Sequence, residues 1–490
     1  MSIILVLVVS LAFTIPAVQT GVARWGTDKA SEWLGAKVSL SKLGITFPLT
    51  ISIDDFYVED YQRDTMIYVR HIDVPVKMIV PRPLVLHFGE VQLYDGGFTL
   101  HENELDSLNI KEIVNRIKSA RNGGERADFR LEIDGIRGSN IYYNQFLNLG
   151  EYDSPIDYGN MIIRLDTISL EEFKVINDSV RMSLRTASFT ERSGFRVDTL
   201  RSDALTVHQG KVLLDDVGII NSDTRMILPA VHLVGHDWDT YQHYIDSVRT
   251  HVVARNSTIS TRSLAYFSNV FKDMDLVASN LNCSTDNPLR RYEGEVNSAN
   301  IEGVGLVAHF TSKGLPDFPT TIWNLTIESA NADAAAIQSL VKGVTQNELP
   351  ASVVKLLATQ GRMRLGGKLK GSMEDFSSDI NLSTLSGVAH IHAAMKKQRN
   401  GGYHTDYSIS TTDFSLGRLL STPKMGRISI EASLNGALTT EGFDADYNLC
   451  VDSIRLLDYT YKAIAAEGTI DRRRIDARVI PTKKDHEVFF

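Results

Sequence analysis

The chain has 490 residues, more than one hydrophobic core usually organises, so it forms either several domains or one long repetitive body. Apolar residues at 43% and charged residues at 23% exclude a largely disordered chain. Lys and Arg total 51 against 60 Asp and Glu, a net charge of -9 without a long basic run, which excludes nucleic acid as a partner.

No charge precedes Arg24, and residues 2–18 are nearly continuous Ile, Leu, Val, Ala and Phe. As a helix this run reaches roughly 26 Å, close to the ~30 Å hydrocarbon core, which suits a transmembrane helix or a signal-peptide core. Pro16-Ala-Val-Gln-Thr20 is a poor cleavage site, so residues 1–20 are expected to be an uncleaved anchor. The basic flank expected before an anchor is missing, so the start of translation is expected upstream of Met1. Residues 18–34 set Val18, Val22, Trp25, Trp33 and Leu34 among charges and predict a short amphipathic helix at the membrane surface. Its two tryptophans sit either in the headgroup zone or against the first strands.

From Lys37 onward the period is two. Phe129, Leu131 and Ile133 alternate with Arg130, Glu132 and Asp134, and Ile428, Ile430, Ala432 and Leu434 with Arg427, Ser429, Glu431 and Ser433. The same alternation over 50–58, 65–78, 84–93, 161–165, 211–220, 323–327, 363–369, 380–382 and 445–451 predicts strands with one dry face. Asp95-Gly-Gly97, Asn122-Gly-Gly124, Gly366-Gly367 and Asn400-Gly-Gly402 read as the turns of an antiparallel meander. Helical spacing over 107–120, 262–271 and 332–341, and Pro350 before 351–359, predict short helices. These are too few to cover some thirty strands, and no linker divides the chain. The expected fold is mostly β, an elongated antiparallel β groove or taco-like curved sheet. Its parts are an anchor over 1–20, an N-terminal β unit with the amphipathic helix over 21–125, and a repetitive groove over 126–490. Phe129, Leu131, Ile133, Ile428, Ile430 and Leu434 are the candidate groove-lining residues.

Sites of chemistry are missing from the pattern. There is no Walker loop, no dinucleotide fingerprint, no nucleophile elbow and no H-E-x-x-H pair, so no catalytic residue, cofactor or metal is expected. His232 and His236 have helical metal spacing, but residues 231–234 read as a strand and Gly235 as a turn, which makes them surface polar residues. Asp54-Asp55 and Glu171-Glu172 read as carboxylates in solvated turns, not as an acid and base pair. Cys283 and Cys450 are read as two thiols, with one structural disulfide as the alternative.

In order along the chain, the apolar run, the amphipathic helix and Lys37-Val-Ser-Leu-Ser-Lys42 are followed by a strand pair. That pair is Ile51-Ser-Ile-Asp-Asp-Phe-Tyr-Val-Glu-Asp60 and Asp64-Thr-Met-Ile-Tyr-Val-Arg-His-Ile-Asp-Val74. Then come Ser188-Phe-Thr-Glu-Arg-Ser-Gly-Phe-Arg-Val-Asp-Thr-Leu200, Leu349-Pro350 before a helix, and Thr384-Leu-Ser-Gly387. This order resembles the N-terminal portion of TamB-type translocation and assembly module proteins, within the AsmA-like group, over residues 19–476. The resemblance implies an inner-membrane, single-pass protein with its body in the periplasm, engaged in outer-membrane biogenesis. It implies membrane lipids as partners, and a BamA-like outer-membrane barrel met by a C-terminal domain that this chain, ending at Phe490, is expected to lack. Three functions follow as expectations: phospholipid passage along the groove, assembly or secretion of outer-membrane proteins by strand addition, and a cargo-free structural solenoid or adhesin.

Overall fold

The computed structural model describes residues 16–481, except 47–48, 61, 82–83, 103–107, 112–128, 151–152, 400, 440–441, 458 and 472–473. Most of the expected anchor lies outside the described residues. Among those described, no helix is long and apolar enough to cross a membrane.

The chain is mostly β, with few and short helices. It divides into two units, Met1–Gln242 with Ser263–Asn269, and His243–Arg262 with Val270–Phe490. The first unit holds β1 (Val38–Ser39), β2 (Lys42–Thr46), β3 (Thr50–Glu59), β4 (Thr65–Pro81), β5 (Leu84–His101) and β6 (Phe129–Phe146). It continues with β7 (Asn160–Ile176), β8 (Ser179–Glu191), β9 (Arg196–His208), β10 (Lys211–Ile220) and β11 (Arg225–Val234). From β3 to β11 each strand pairs with the next, and β1 and β2 both pair with β3. All of these pairs are antiparallel except β5 with β6, which run parallel. Parallel neighbours need a long crossover, and residues 102–128 supply it. Of the helix expected there, Asn109, Ile110 and Lys111 are described and helical.

In this unit Asp95-Gly-Gly97 is no turn: it lies inside β5. Asp55 (φ 52°), Asp95 (φ 52°) and Asn140 (φ 54°) are left-handed residues in mid-strand, a conformation Asp and Asn tolerate best after Gly. They fall in one row across the sheet, with Arg70 between Asp55 and Asp95. Pairing is intact on both sides, Asp54 with His71 and Phe56 with Val69, then Tyr94 with Ser139 and Gly96 with Ile141. Neighbouring strands thus bulge together and keep register. Apolar positions change parity across the row, from Ile51 and Ile53 to Phe56 and Val58 in β3, and from Val91 and Leu93 to Phe98 and Leu100 in β5. Side chains tie the row together: Tyr68 Oη donates to Asp55 Oδ1 at 2.8 Å, and Asn140 Nδ2 to Asp95 Oδ1 at 2.6 Å. Asp54-Asp55 and Glu171-Glu172 therefore lie within β3 and β7 and not in turns, because a bulge takes the same residue types as a turn.

The expected amphipathic stretch over 18–34 is helical, within the described helix Pro16–Leu34. Its C-terminal half docks through Ala30 and Leu34 on a small core of Ala36, Val38, Val58 and Met66. Trp25 is 68% exposed, so it does not pack on the first strands.

The second unit is a meander of thirteen antiparallel strands. They are β12 (Arg249–Ser260), β13 (Val277–Asp286), β14 (Glu293–Ile301), β15 (Val304–Lys313), β16 (Ile322–Ala332), β17 (Met363–Gly371) and β18 (Asp375–Thr384). The remainder are β19 (Gly387–Lys397), β20 (Tyr403–Ser415), β21 (Met425–Thr439), β22 (Gly442–Leu456), β23 (Tyr459–Ile470) and β24 (Ile475–Pro481). Each pairs with the next. With the first unit this makes twenty-four strands among the described residues, fewer than some thirty, because many run longer than their alternating segments. Gly366-Gly367 lies inside β17 and not in a turn. There Gly367 has φ +157°, and a Cβ would meet the Asp379 carbonyl oxygen at 2.1 Å. Gly401 and Gly402 do form the expected turn, closed by Gln398 N donating to Gly402 O at 2.7 Å.

Ala334–Thr345 and Ala351–Thr359 are helices as expected. Asp333 caps the first by accepting from Ala336 N at 2.9 Å, and Pro350 is the N-cap of the second. The helix expected over 262–271 is reduced to Thr261–Leu264 and a turn at Asn269–Phe271. Between them Tyr266 and Phe267, which belong to the first unit, set their rings on Phe195 of that same unit, with centroids 5.4 and 5.0 Å away.

Candidate functional site

Directly paired residues of neighbouring strands share a face, so the registers trace each face residue by residue. In the second unit one row runs Ala254, Cys283, Val296, Ala308, Ile327 and Gly367 from β12 to β17. It continues through Ile380, Ile391, Ile409, Ala432, Leu449, Ala466 and Val479 to β24. No charge or hydrogen-bonding side chain interrupts it apart from the Cys283 thiol. At ~4.8 Å per strand spacing it spans roughly 58 Å along the sheet. Ile430 belongs to a parallel row, between Thr411 and Val451, and Leu434 lies between Tyr407 and Tyr447. Ile428 pairs Phe414 and Ile454. The opposite face of the same strands reads Ser284, Glu295, His309, Thr326, Lys368, Asp379, His392, Ser408, Ser433, Asn448, Glu467 and Arg478.

The first unit repeats the arrangement. Leu86, Leu131, Val175, Val180, Val207, Val212 and Leu233 form one apolar row over β5 to β11, and Ile133 sits between Phe88 and Phe173. Phe129 pairs with Leu84 in backbone register. On the other face His87, Glu132, Lys174, Arg181, Thr206, Leu213 and His232 line up. The two groups of candidate lining residues thus belong to apolar rows, Leu131 and Ile133 in one unit and Ile428, Ile430 and Leu434 in the other.

Those apolar faces are thinly covered. Ile409 and Tyr407 are each 40% exposed and Val479 65%, while Leu131, Ile133, Ile428, Ile430 and Leu434 are half-buried. The largest fully buried side chains are Val248, Thr321 and Thr405, where a second packed layer would bury Leu, Ile and Phe. Cover is local: Phe318 meets Trp323 at 6.3 Å between ring centroids and Phe271 at 5.5 Å.

Titratable groups gather mainly on the polar faces. His71 places Nδ1 2.6 Å from Asp54 and Nε2 3.1 Å from Asp73. Only the imidazolium can donate to both, and the hydrogen bond to Asp54 holds its pKa above the usual imidazole range, with partial desolvation opposing and Asp73 adding. A raised folded pKa adds stability below the unfolded value of about 6.5, and that stability is lost as pH rises through the folded pKa. The stability gap between the native chain and Asp54→Asn should therefore close on going from acidic to alkaline pH. An NMR titration of His71 with a midpoint at or below the free value would refute this. Asp134 shows the complementary case, its pKa lowered by hydrogen bonds from Lys77 and then His87.

His232 lies in β11 with Nε2 2.9 Å from Asp215, while His236 is 94% exposed in the following turn. The structure does not bring them together. Among the described residues the group with metal-ligand proximity is Asp60, Asp64 and His101: the two aspartates share the turn after β3, and His101 lies far along the chain, in β5. Cys283 and Cys450 are free thiols, the first on the apolar face with its pKa pushed up by burial and the second exposed on the polar face. No protein-family model matches the chain, and neither a curated protein nor a solved structure matches it.

Proposed function

We propose that the apolar sheet faces carry phospholipid acyl chains, with headgroups left in water, so that lipids pass along the protein between membranes. The supporting observation is the thirteen-strand apolar row with half-exposed Ile, Leu and Tyr on and beside it, backed by a polar face. Moving an acyl chain through water costs about 0.8 kcal/mol per CH₂, or roughly 12 kcal/mol for a sixteen-carbon chain, so a continuous apolar track removes most of the barrier. A bound pocket is not required, because a track must release what it holds. On this reading the N-terminal apolar run anchors the chain in the inner membrane, the β body is a periplasmic groove, and outer-membrane biogenesis is the process served. A BamA-like outer-membrane barrel is the partner of the family that the chain resembles.

Photo-crosslinkers at Ile430 and Ser433 test the contact. Ser433 is exposed on the polar face opposite Ser408 and Asn448. It is a cleaner control than Ser429, whose Oγ accepts from Asp413 N at 3.0 Å. Phospholipid adducts at Ile430 and few at Ser433 are expected. Equal labelling at both, or capture of outer-membrane protein segments in place of lipid, would give the site to strand addition or to no cargo at all.

A further inference from the structure

We infer that Asp60, Asp64 and His101 hold one divalent cation of the zinc class, which staples the β3–β4 turn to the end of β5. One ligand atom from each lies within 4.8 Å of the others. Asp60 is only 3% exposed, and among the described residues no cationic side chain pairs with its carboxylate. Its Oδ1 accepts from Gln62 N and Asp64 N, both at 2.9 Å, and its Oδ2 accepts from Asn109 Nδ2 at 3.3 Å. Asn109 Oδ1 also accepts from His101 N at 3.2 Å, so one side chain joins the histidine and the turn. The independent sign of a missing partner is His101 Nδ1, which is sealed from water and has no hydrogen-bond partner. A buried carboxylate without a counter-ion and an orphan ring nitrogen both carry desolvation costs, and a cation bound through Asp60 and through Nδ1 of the half-buried His101, with the exposed Asp64 as third ligand, relieves both.

The donor set selects the metal. Two carboxylates and an imidazole are too few oxygens for calcium, which takes six to eight, and the nitrogen favours zinc over magnesium. Three protein ligands with water in the fourth position complete a tetrahedral site. The site shares no residue with the apolar rows, so it stands whether or not lipid passage does.

The full-length chain, stripped with EDTA and titrated with Zn²⁺ by calorimetry, should bind one equivalent and melt at a higher temperature. Asp64→Asn and His101→Gln should each weaken binding by at least about tenfold, while His232→Ala with His236→Ala leaves it unchanged. Both site variants should still melt cooperatively in EDTA. If either does not fold, Co²⁺ added to the native chain decides, since tetrahedral nitrogen and oxygen ligation gives visible absorption bands and their absence refutes the site. No binding by the native chain, binding unchanged in both site variants, or binding lost with His232 and His236 would also overturn the proposal.

Discussion

Replacing Ile430 with Asp should cut phospholipid transfer between donor and acceptor vesicles by at least about tenfold, whereas Ser433→Asp should leave it within about twofold. The difference is one of face. Ile430 lies in an apolar row between Thr411 and Val451, and its two strand neighbours in sequence, Ser429 and Glu431, project to the other side. A carboxylate against hydrocarbon costs several kcal/mol unless it takes up a proton, and each 1.4 kcal/mol is tenfold in a rate or an equilibrium. Ser433 already faces water, so a charge there meets nothing apolar. Unchanged hydrogen-exchange protection of β20, β21 and β22 in both variants separates a blocked track from an unfolded sheet. Wild-type transfer by a folded Ile430→Asp chain would refute the lipid reading.

Gly97→Ala should destabilise the first unit by about 3 kcal/mol or more, a cost typical of forced overpacking. A Cβ at Gly97 would stand 1.9 Å from the Tyr142 carbonyl oxygen of β6, and backbone cannot swing aside as a side chain does. Gly44, in β2, is the internal comparison. Its nearest neighbour would be Ser52 Cβ at 3.7 Å, so Gly44→Ala should be neutral or gain up to about 1 kcal/mol from the lost unfolded-state freedom. Denaturant midpoints with unchanged m-values would measure both. Equal midpoints for the two variants would mean that the close approach of β5 and β6 is not what glycine serves.

Strand identity was legible because alternation is a one-dimensional signal: Ile428 to Leu434 declares its dry face with no knowledge of its neighbours. The bulge row was not. Asp95-Gly-Gly97 reads as a hairpin turn because left-handed backbone and close approach recruit Asp, Asn and Gly in either setting, and only the partner strand distinguishes them. The change from odd to even apolar positions between Ile53 and Phe56 was the available clue, since a true turn leaves a longer gap. Parallel pairing of β5 with β6 depends on where residues 102–128 travel, which no periodicity encodes. Asp60 and Asp64 share one turn, but His101 joins them only because β3, β4 and β5 are neighbours, so the threefold grouping is a property of the fold.

Among the described residues of the second unit every strand bonds only to those before and after it in sequence. Its free energy is then close to a sum of nearest-neighbour couplings, as in a one-dimensional Ising chain, and not a single all-or-none sum. Such a body unzips from its ends and tolerates the removal of an internal hairpin, because the strands flanking the cut have the same direction and parity as those they meet. Each hairpin gained or lost changes reach by roughly 10 Å and leaves the remaining registers untouched. Length is therefore a quantity that selection can adjust in whole hairpins, independently of what any one strand does.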